Sequence, residues 1–206
     1  MTPFPQNDRV AQILQERALR IGRVGEYITS NILTKLNASD PGAMNLEIGC
    51  GHGHWLNSLA SLRSKDIFVG IDLLSKRIRK SDRKKELLNI SNVFFLKAEA
   101  NEFLEALPKN IYLKNIYVMY PDPWPKKRHY KNRLIQDSFL KILHDKSRPG
   151  SKLFFKTDHE PYFDWTKQVL TKSSTWVLGS DNWPHGSTSY FQGLFQDSYA
   201  CSATCL

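Results

Sequence analysis

The sequence predicts an α/β fold: a mostly parallel, doubly wound sheet with an antiparallel edge strand. Three observations predict it. Between residues 44 and 170, five apolar runs of strand length alternate with segments of helical period, the pattern of a parallel sheet covered by crossover helices on both faces. A glycine-rich turn follows the first of these runs directly, as happens where a strand hands over to a helix beside a ligand. After residue 170 no long helical pattern returns, and "TWVLGS" and "STSYFQGLF" read as two late strands pairing antiparallel at one edge.

In chain order, Asp8 is placed to cap a helix running to about residue 21, with Val10, Ile13, Leu14 and Ile21 near one face. A second helical pattern carries Tyr27, Ile28, Leu33 and Leu36, and "NASDPGA" (37–43) breaks it. The strand runs are "MNLEIGC", "IFVGID", "NVFFLKA", "NIYVMY" and "SKLFFKTD", and the helical segments cover 53–62, 75–88, 101–107, 133–145 and 159–170. With 206 residues the chain suits one domain. Its first 40 residues read as a helical extension and 44–195 as the core.

Twenty-nine Lys and Arg against 20 Asp and Glu give a formal charge of +9, which favours a polyanionic partner. Three unclustered cysteines argue for a reducing compartment and against a disulfide framework or a zinc site. The first residues lack a signal pattern, and no apolar run approaches the ~20 residues that span a bilayer. The expectation is a cytoplasmic protein without a membrane partner, whether monomer or homodimer.

In "NLEIGCGHGHW" a strand meets Gly49, Gly51 and Gly53 and a helix follows. Such a turn lets the backbone approach a ligand closely. A dinucleotide fingerprint would place a glycine where His54 stands, so the spacing weakens a dehydrogenase reading. Glu47 lies inside the strand, where a carboxylate needs a cation or hydrogen-bond donors. S-adenosylmethionine, carrying an ammonium and a sulfonium, is such a partner. Asp72 ends the next strand, where a carboxylate accepts ribose hydroxyls. Glu99 follows the third strand, near where an adenine edge would lie, or serves as an acid at a helix start. His52 and His54 have no third ligand at useful spacing and read as turn residues.

The most unusual stretch is "MYPDPWPKKRHYKNR". Pro121, Pro123 and Pro125 stiffen the chain around Asp122, at the same sheet edge as the glycines. Trp124 offers a stacking surface, and Lys126, Lys127, Arg128, His129, Lys131 and Arg133 can meet phosphates. A basic helix start opposes the helix dipole, which suggests that the cluster serves a ligand. A second run, "KRIRKSDRKK" (76–85), either extends this positive surface or is a solvated helix face.

"EIGCGHG", "PDPWPKKRH" and "KTDHEPY" together resemble the bacterial tRNA (guanine-N7)-methyltransferase family, over roughly residues 44 to 195. The proline-bracketed acid with its basic tail is the specific element, since the glycine motif is shared with many methyltransferases. The resemblance implies a Rossmann-like class I methyltransferase domain and S-adenosylmethionine as donor. It also implies N7 of a guanosine in the tRNA variable loop as acceptor. Carried over by position, it implies donor contacts from Glu47, Asp72, Glu99 and Asp122, and substrate contacts from Lys126, Asp158 and the segment beginning at Thr188. Phe191 stands where the family carries a Glu, and Asn132 where an Arg is common.

Guanine N7 presents an in-plane lone pair, so its methylation needs alignment and charge accommodation more than a general base. Asp122 is the first choice for the catalytic carboxylate, because a carboxylate accepts from the guanine N1 and N2 hydrogens or steadies a cationic product. Asp158 projects from the same edge and Thr188 is placed to supply a hydroxyl from the late loop, with Arg128 and His129 beside Lys126 and with Tyr190 available to stack on a splayed base. Asp158 also reads as a helix N-cap. A base-amino methyltransferase and a non-catalytic RNA-binding relative remain the alternatives.

Overall fold

The computed structural model describes residues 6–36, 40–184 and 198–206. A long helix, α1 (Gln6–Tyr27), runs into a π-helical turn (Ile28–Ile32) and a 3-10 turn (Leu33–Lys35). There follow β1 (Ala43–Ile48), α2 (His54–Leu62), β2 (Phe68–Asp72), α3 (Ser75–Leu87), β3 (Val93–Lys97), α4 (Ala100–Ala106) and β4 (Tyr112–Met119). After a 3-10 segment (Lys127–Asn132) come α5 (Asp137–Asp145), β5 (Ser147–Thr157), α6 (Glu160–Lys172), β6 (Trp176–Gly179) and β7 (Tyr199–Cys205). The described strands form one seven-stranded sheet in the order β3-β2-β1-β4-β5-β7-β6. Its first five strands are parallel, and β7 runs antiparallel to both β5 and β6.

The chain winds outward from β1 through β2 to β3, then returns to the other side of β1 for β4. The carboxyl ends of β1 and β4 therefore flank the switch point, where open α/β sheets hold their ligands. Side-chain alternation divides the core. Leu46, Ile116, Leu153 and Phe155 pack with α4, α5, α6 and the end of α1, whereas Tyr117 and Phe154 pack with Trp55, Leu59 and Ile78 of α2 and α3. Both faces are thus covered, which is why the central strands are almost continuously buried. Among the described residues no helix is long and apolar enough to cross a membrane.

Two sequence expectations are corrected. The first helix does not start at Asp8 or stop near residue 21 but continues to Tyr27. Its core-facing residues are Val24 and, beyond it, Ile28 and Ile32, while Val10, Ile13 and Leu14 are exposed. The helix expected over 133–145 starts only at Asp137, so the basic cluster does not sit at its N-terminus and opposes no dipole there. The strand that pairs with β6 is β7, formed by "YACSATC", which the sequence pattern did not single out. The stretch "STSYFQGLF", with Thr188, Tyr190 and Phe191, lies outside the described residues.

Candidate active site

The site begins with the way β1 ends. The amides of Gly49 and Cys50 both donate to the Ile71 carbonyl at 2.9 Å, which draws the chain over β2 before it turns back into α2. Gly49, Gly51 and Gly53 all take positive φ, at 77°, 57° and 64°, a region that costs other residues strain. The roles of two of them differ. A Cβ on Gly53 would stand 2.7 Å from the Ser81 Cβ and 2.8 Å from the Phe95 ring, so this glycine lets α2 begin tight against α3 and β3. A Cβ on Gly49 would meet nothing within 4 Å, so its backbone is open to a ligand.

Beneath this arch lies Glu47, 3 % exposed. Its Oε2 is buried without a hydrogen-bond partner among the described residues. Burial, and secondarily the negative Asp72, push its carboxyl up to about 8, so at neutral pH it holds a proton that an ordinary glutamate would release. The contrast with Asn45, one turn of the pleat earlier, is informative. That buried amide donates to the Ile67 carbonyl at 3.0 Å and accepts from Asn115 at 2.7 Å. The fold satisfies the structural polar group and leaves the acid at the bend unsatisfied.

Asp72, 4 % exposed, is anchored on three sides. Oδ1 accepts from the Leu74 amide at 2.9 Å, and Oδ2 accepts from the Gly51 amide at 3.1 Å and from Arg77 at 3.2 Å. It thereby ties the glycine bend to the start of α3. Arg77 belongs to the run "KRIRKSDRKK" and is an internal partner that charge counting alone did not separate from its neighbours. Glu99 is the N-cap of α4, accepting from the Glu102 amide at 3.0 Å and from Asn101 at 3.1 Å. The helix-start reading therefore holds, while both oxygens retain lone pairs for a further donor.

The proline loop leaves β4 beside this bend. Tyr120 packs against the cluster that includes Cys50, and its amide donates to the Lys156 carbonyl at 2.8 Å. Tyr120 and Trp124 both adopt positive φ, 51° and 47°, conformations that persist only where surrounding structure enforces them. Arg133 holds the loop beside Trp124. It is 2 % exposed, donates to the Pro123 carbonyl at 2.9 Å and the Pro161 carbonyl at 3.2 Å, and stacks over the Tyr130 ring at 3.6 Å. Arg133 is thus a clasp between the proline loop and the first turn of α6, correcting its assignment as a phosphate contact. Asp122 itself is exposed, so the prolines fix its backbone while its side chain is not buried in the crevice. Asp158 is exposed on the neighbouring loop, and the N-cap of α6 is His159, whose Nδ1 accepts from the Tyr162 amide at 3.1 Å.

Lys126, Lys127, Arg128 and Lys131 are exposed, with Trp124 edge-on to His129 at 5.8 Å between ring centres. On α3 the basic run divides. Arg77 is committed to Asp72, Lys84 donates to the His52 carbonyl at 3.0 Å and touches His54, and Lys85 lies 4.8 Å over Phe94. Lys76, Arg79, Lys80 and Arg83 remain on the exposed face. Partial burial, then Lys80 and Lys84, hold His52 below the ordinary imidazole range, and burial followed by Lys84 does the same to His54.

Comparison with known proteins places this geometry in a family. Residues 42–190 match the family described as "Putative methyltransferase". A tRNA (guanine-N(7)-)-methyltransferase of Prochlorococcus marinus strain AS9601 is 34 % identical over 157 residues, 75 % of this chain and 71 % of that protein. Its counterpart in strain MIT 9215 is 32 % identical over 133 residues, 63 % of this chain and 64 % of that protein. The chain thus spans just under two thirds of that second relative. In three dimensions, NSun6 from Pyrococcus horikoshii with SFG superposes with a TM-score of 0.61 at 16 % identity, covering 85 % of this chain and 52 % of that one, a likeness of fold. With a proline-bracketed acid and a glycine arch at the switch point of the sheet, and with relatives at this identity over most of its length, the chain belongs to the tRNA (guanine-N7)-methyltransferase family.

Proposed function

We propose that this protein transfers a methyl group from S-adenosylmethionine to N7 of a guanosine in the variable loop of tRNA. The observation that carries the donor half is Glu47, a buried acid without a partner under an open glycine backbone. A cationic ligand would supply that partner, and an ammonium beside the carboxyl would restore its charge. Asp72 stands where ribose hydroxyls would be accepted and Glu99 where an amino group would, so the residues present fit the donor. When bound, S-adenosylmethionine supplies a methyl carbon on a positively charged sulfur.

The chain's own task is then to present guanine N7 to that carbon. No side chain has to remove a proton, because the N7 lone pair is free in the plane of the ring. Asp122 and Asp158, exposed on adjacent loops at the carboxyl ends of β4 and β5, are the carboxylates available to hold the base by its N1 and N2 hydrogens. Trp124 offers a face for stacking, and Lys126, Arg128 and His129 lie beside it to meet the backbone phosphates. Thr188, Tyr190 and Phe191 complete the assignment by sequence position.

The test is to incubate purified protein with unmodified tRNA and labelled donor, digest the product and identify the nucleoside by mass spectrometry. N7-methylguanosine is expected at one position of the variable loop. Methyl on an exocyclic amine would make the protein a base-amino methyltransferase. Tight tRNA binding without calorimetric binding of S-adenosylhomocysteine would make it a non-catalytic relative.

A further inference from the structure

The N-terminal helix lies outside the motifs that suggested the function, yet it borders a cavity of about 800 Å³ at the outer end of the sheet. Leu19, Val24 and Tyr27 of α1 form one side, and Leu73, Ala98 and Glu99 form the other. Leu73 directly follows the acid assigned to the ribose, and Glu99 is the acid assigned to an amino group. The cavity therefore lies where the base of the donor would go. Its walls suit a flat heterocycle. Leu19, Leu73 and Tyr27, three large apolar side chains around one space, are 55 %, 63 % and 36 % exposed, an arrangement that leaves apolar area for a ligand to cover.

A second observation ties α1 to the same point. Arg20 grips the Glu102 carboxylate with Nε at 3.0 Å and a terminal nitrogen at 2.7 Å, and one turn earlier Arg17 reaches Glu105 at 3.3 Å. Glu102 is also the residue whose amide is capped by Glu99. One residue thus receives the cap from the site acid through its backbone and the fastening of α1 through its side chain. Forked arginine pairs of this kind fix orientation as well as distance.

We propose that α1 is the outer wall of the donor's nucleoside subsite, with Leu19, Val24 and Tyr27 facing the purine and Arg20–Glu102 holding the wall in register. This rests on the donor reading above. The cavity takes the adenosine half of the donor, Glu99 accepts from the exocyclic amine, and α1 covers the ring face opposite Leu73.

The experiment is calorimetric binding of S-adenosylhomocysteine and of 5′-methylthioadenosine, which carries the nucleoside half alone, to the full chain. Tyr27→Ala and Leu19→Asp should each weaken both ligands by about tenfold, the scale expected when one apolar side chain is removed from a binding site. Arg20→Glu should weaken both ligands at a temperature at which its melting curve shows it fully folded, and the exchange Arg20→Glu with Glu102→Arg should restore them at least partly. Filter binding of tRNA should be unchanged in Tyr27→Ala. If the wild-type protein binds neither ligand, the donor reading itself fails. If it binds both and the α1 variants bind them equally well, the wall assignment is overturned while the donor reading stands.

Discussion

Glu47 and Arg133 are the two residues whose surroundings most restrict what the molecule can do. Glu47 titrates near 8 in the folded chain, against an ordinary glutamate value of 4.5. An acid raised in this way supports folding only while protonated. Its contribution is complete below pH 4.5, falls through neutrality and is lost as pH passes about 8. Glu47→Gln should therefore raise the melting temperature at pH 8 by roughly 4–8 °C, corresponding to about 2 kcal/mol at this chain length, and have little effect at pH 4. The same substitution should weaken S-adenosylhomocysteine. A donor ammonium lowers the carboxyl again, so wild-type binding at pH 7 should release a proton, measured as a dependence of calorimetric heat on the buffer's ionisation enthalpy. Binding without proton release would remove the ammonium from Glu47. Arg133 makes a different prediction. Its fork reaches two carbonyls while its plane lies on Tyr130, and a lysine ammonium can reproduce neither together. Arg133→Lys should cost about 2 kcal/mol and lower turnover. Unchanged melting would mean that the loop holds itself.

At the scale of elements, the proline loop carries the assignment of chemistry. Three prolines and two residues of positive φ fix its path, and Arg133 fastens it to the start of α6. Asp122 is consequently an exposed carboxylate on a stiff support, which would lose little entropy on docking the base proposed above. Asp122→Ala should lower methyl transfer by about two orders of magnitude or more while leaving S-adenosylhomocysteine affinity within a few-fold. Turnover near the wild-type rate would end its catalytic assignment. How legible these elements were depended on where their information lies. Strands β1 to β5 and helices α2, α3, α4 and α6 are visible locally, because burial on both faces writes continuous apolar runs between helical periods. The glycine bend and its acids lie at the seams of that pattern and are legible for the same reason. Arg133 is not, since nothing in a basic tail distinguishes the one guanidinium that turns inward onto Tyr130, Tyr162 and Trp165. Nor is β7. It mixes small and polar residues, and the hydroxyl of the buried Ser202 is satisfied by Asp181, which donates its amide to it and accepts from it at 2.9 Å. The place of β7 in the sheet is set by β5, a strand distant in sequence, in the register Phe154↔Ser202, with no trace in local periodicity.

Across the whole molecule, the net charge of +9 becomes a question of where the charges face. Two exposed basic groups flank the glycine bend, because β2 and β4 lie on either side of β1. One is Lys126, Lys127, Arg128 and Lys131 after β4, and the other is Lys76, Arg79, Lys80 and Arg83 on α3 after β2. Composition favours an anionic partner but does not show this split, because Arg77, Lys84 and Lys85 in the same run are engaged by Asp72, the His52 carbonyl and the Phe94 ring. If a folded RNA bridges the bend, both groups touch phosphate and each contact releases counterions. Each phosphate contact then contributes about 0.9 to the slope of log affinity against log salt concentration. Lys126→Glu with Arg128→Glu should flatten that slope for tRNA by roughly one to two units, and Lys80→Glu with Arg83→Glu should do the same if α3 shares the interface. A flatter slope for the first pair alone would confine the RNA to the β4 side and make the α3 face a solvated surface. If neither pair altered the slope, the positive edge of the sheet would not be where tRNA lies, and the substrate would have to approach the exposed Asp122 from the β5 side instead.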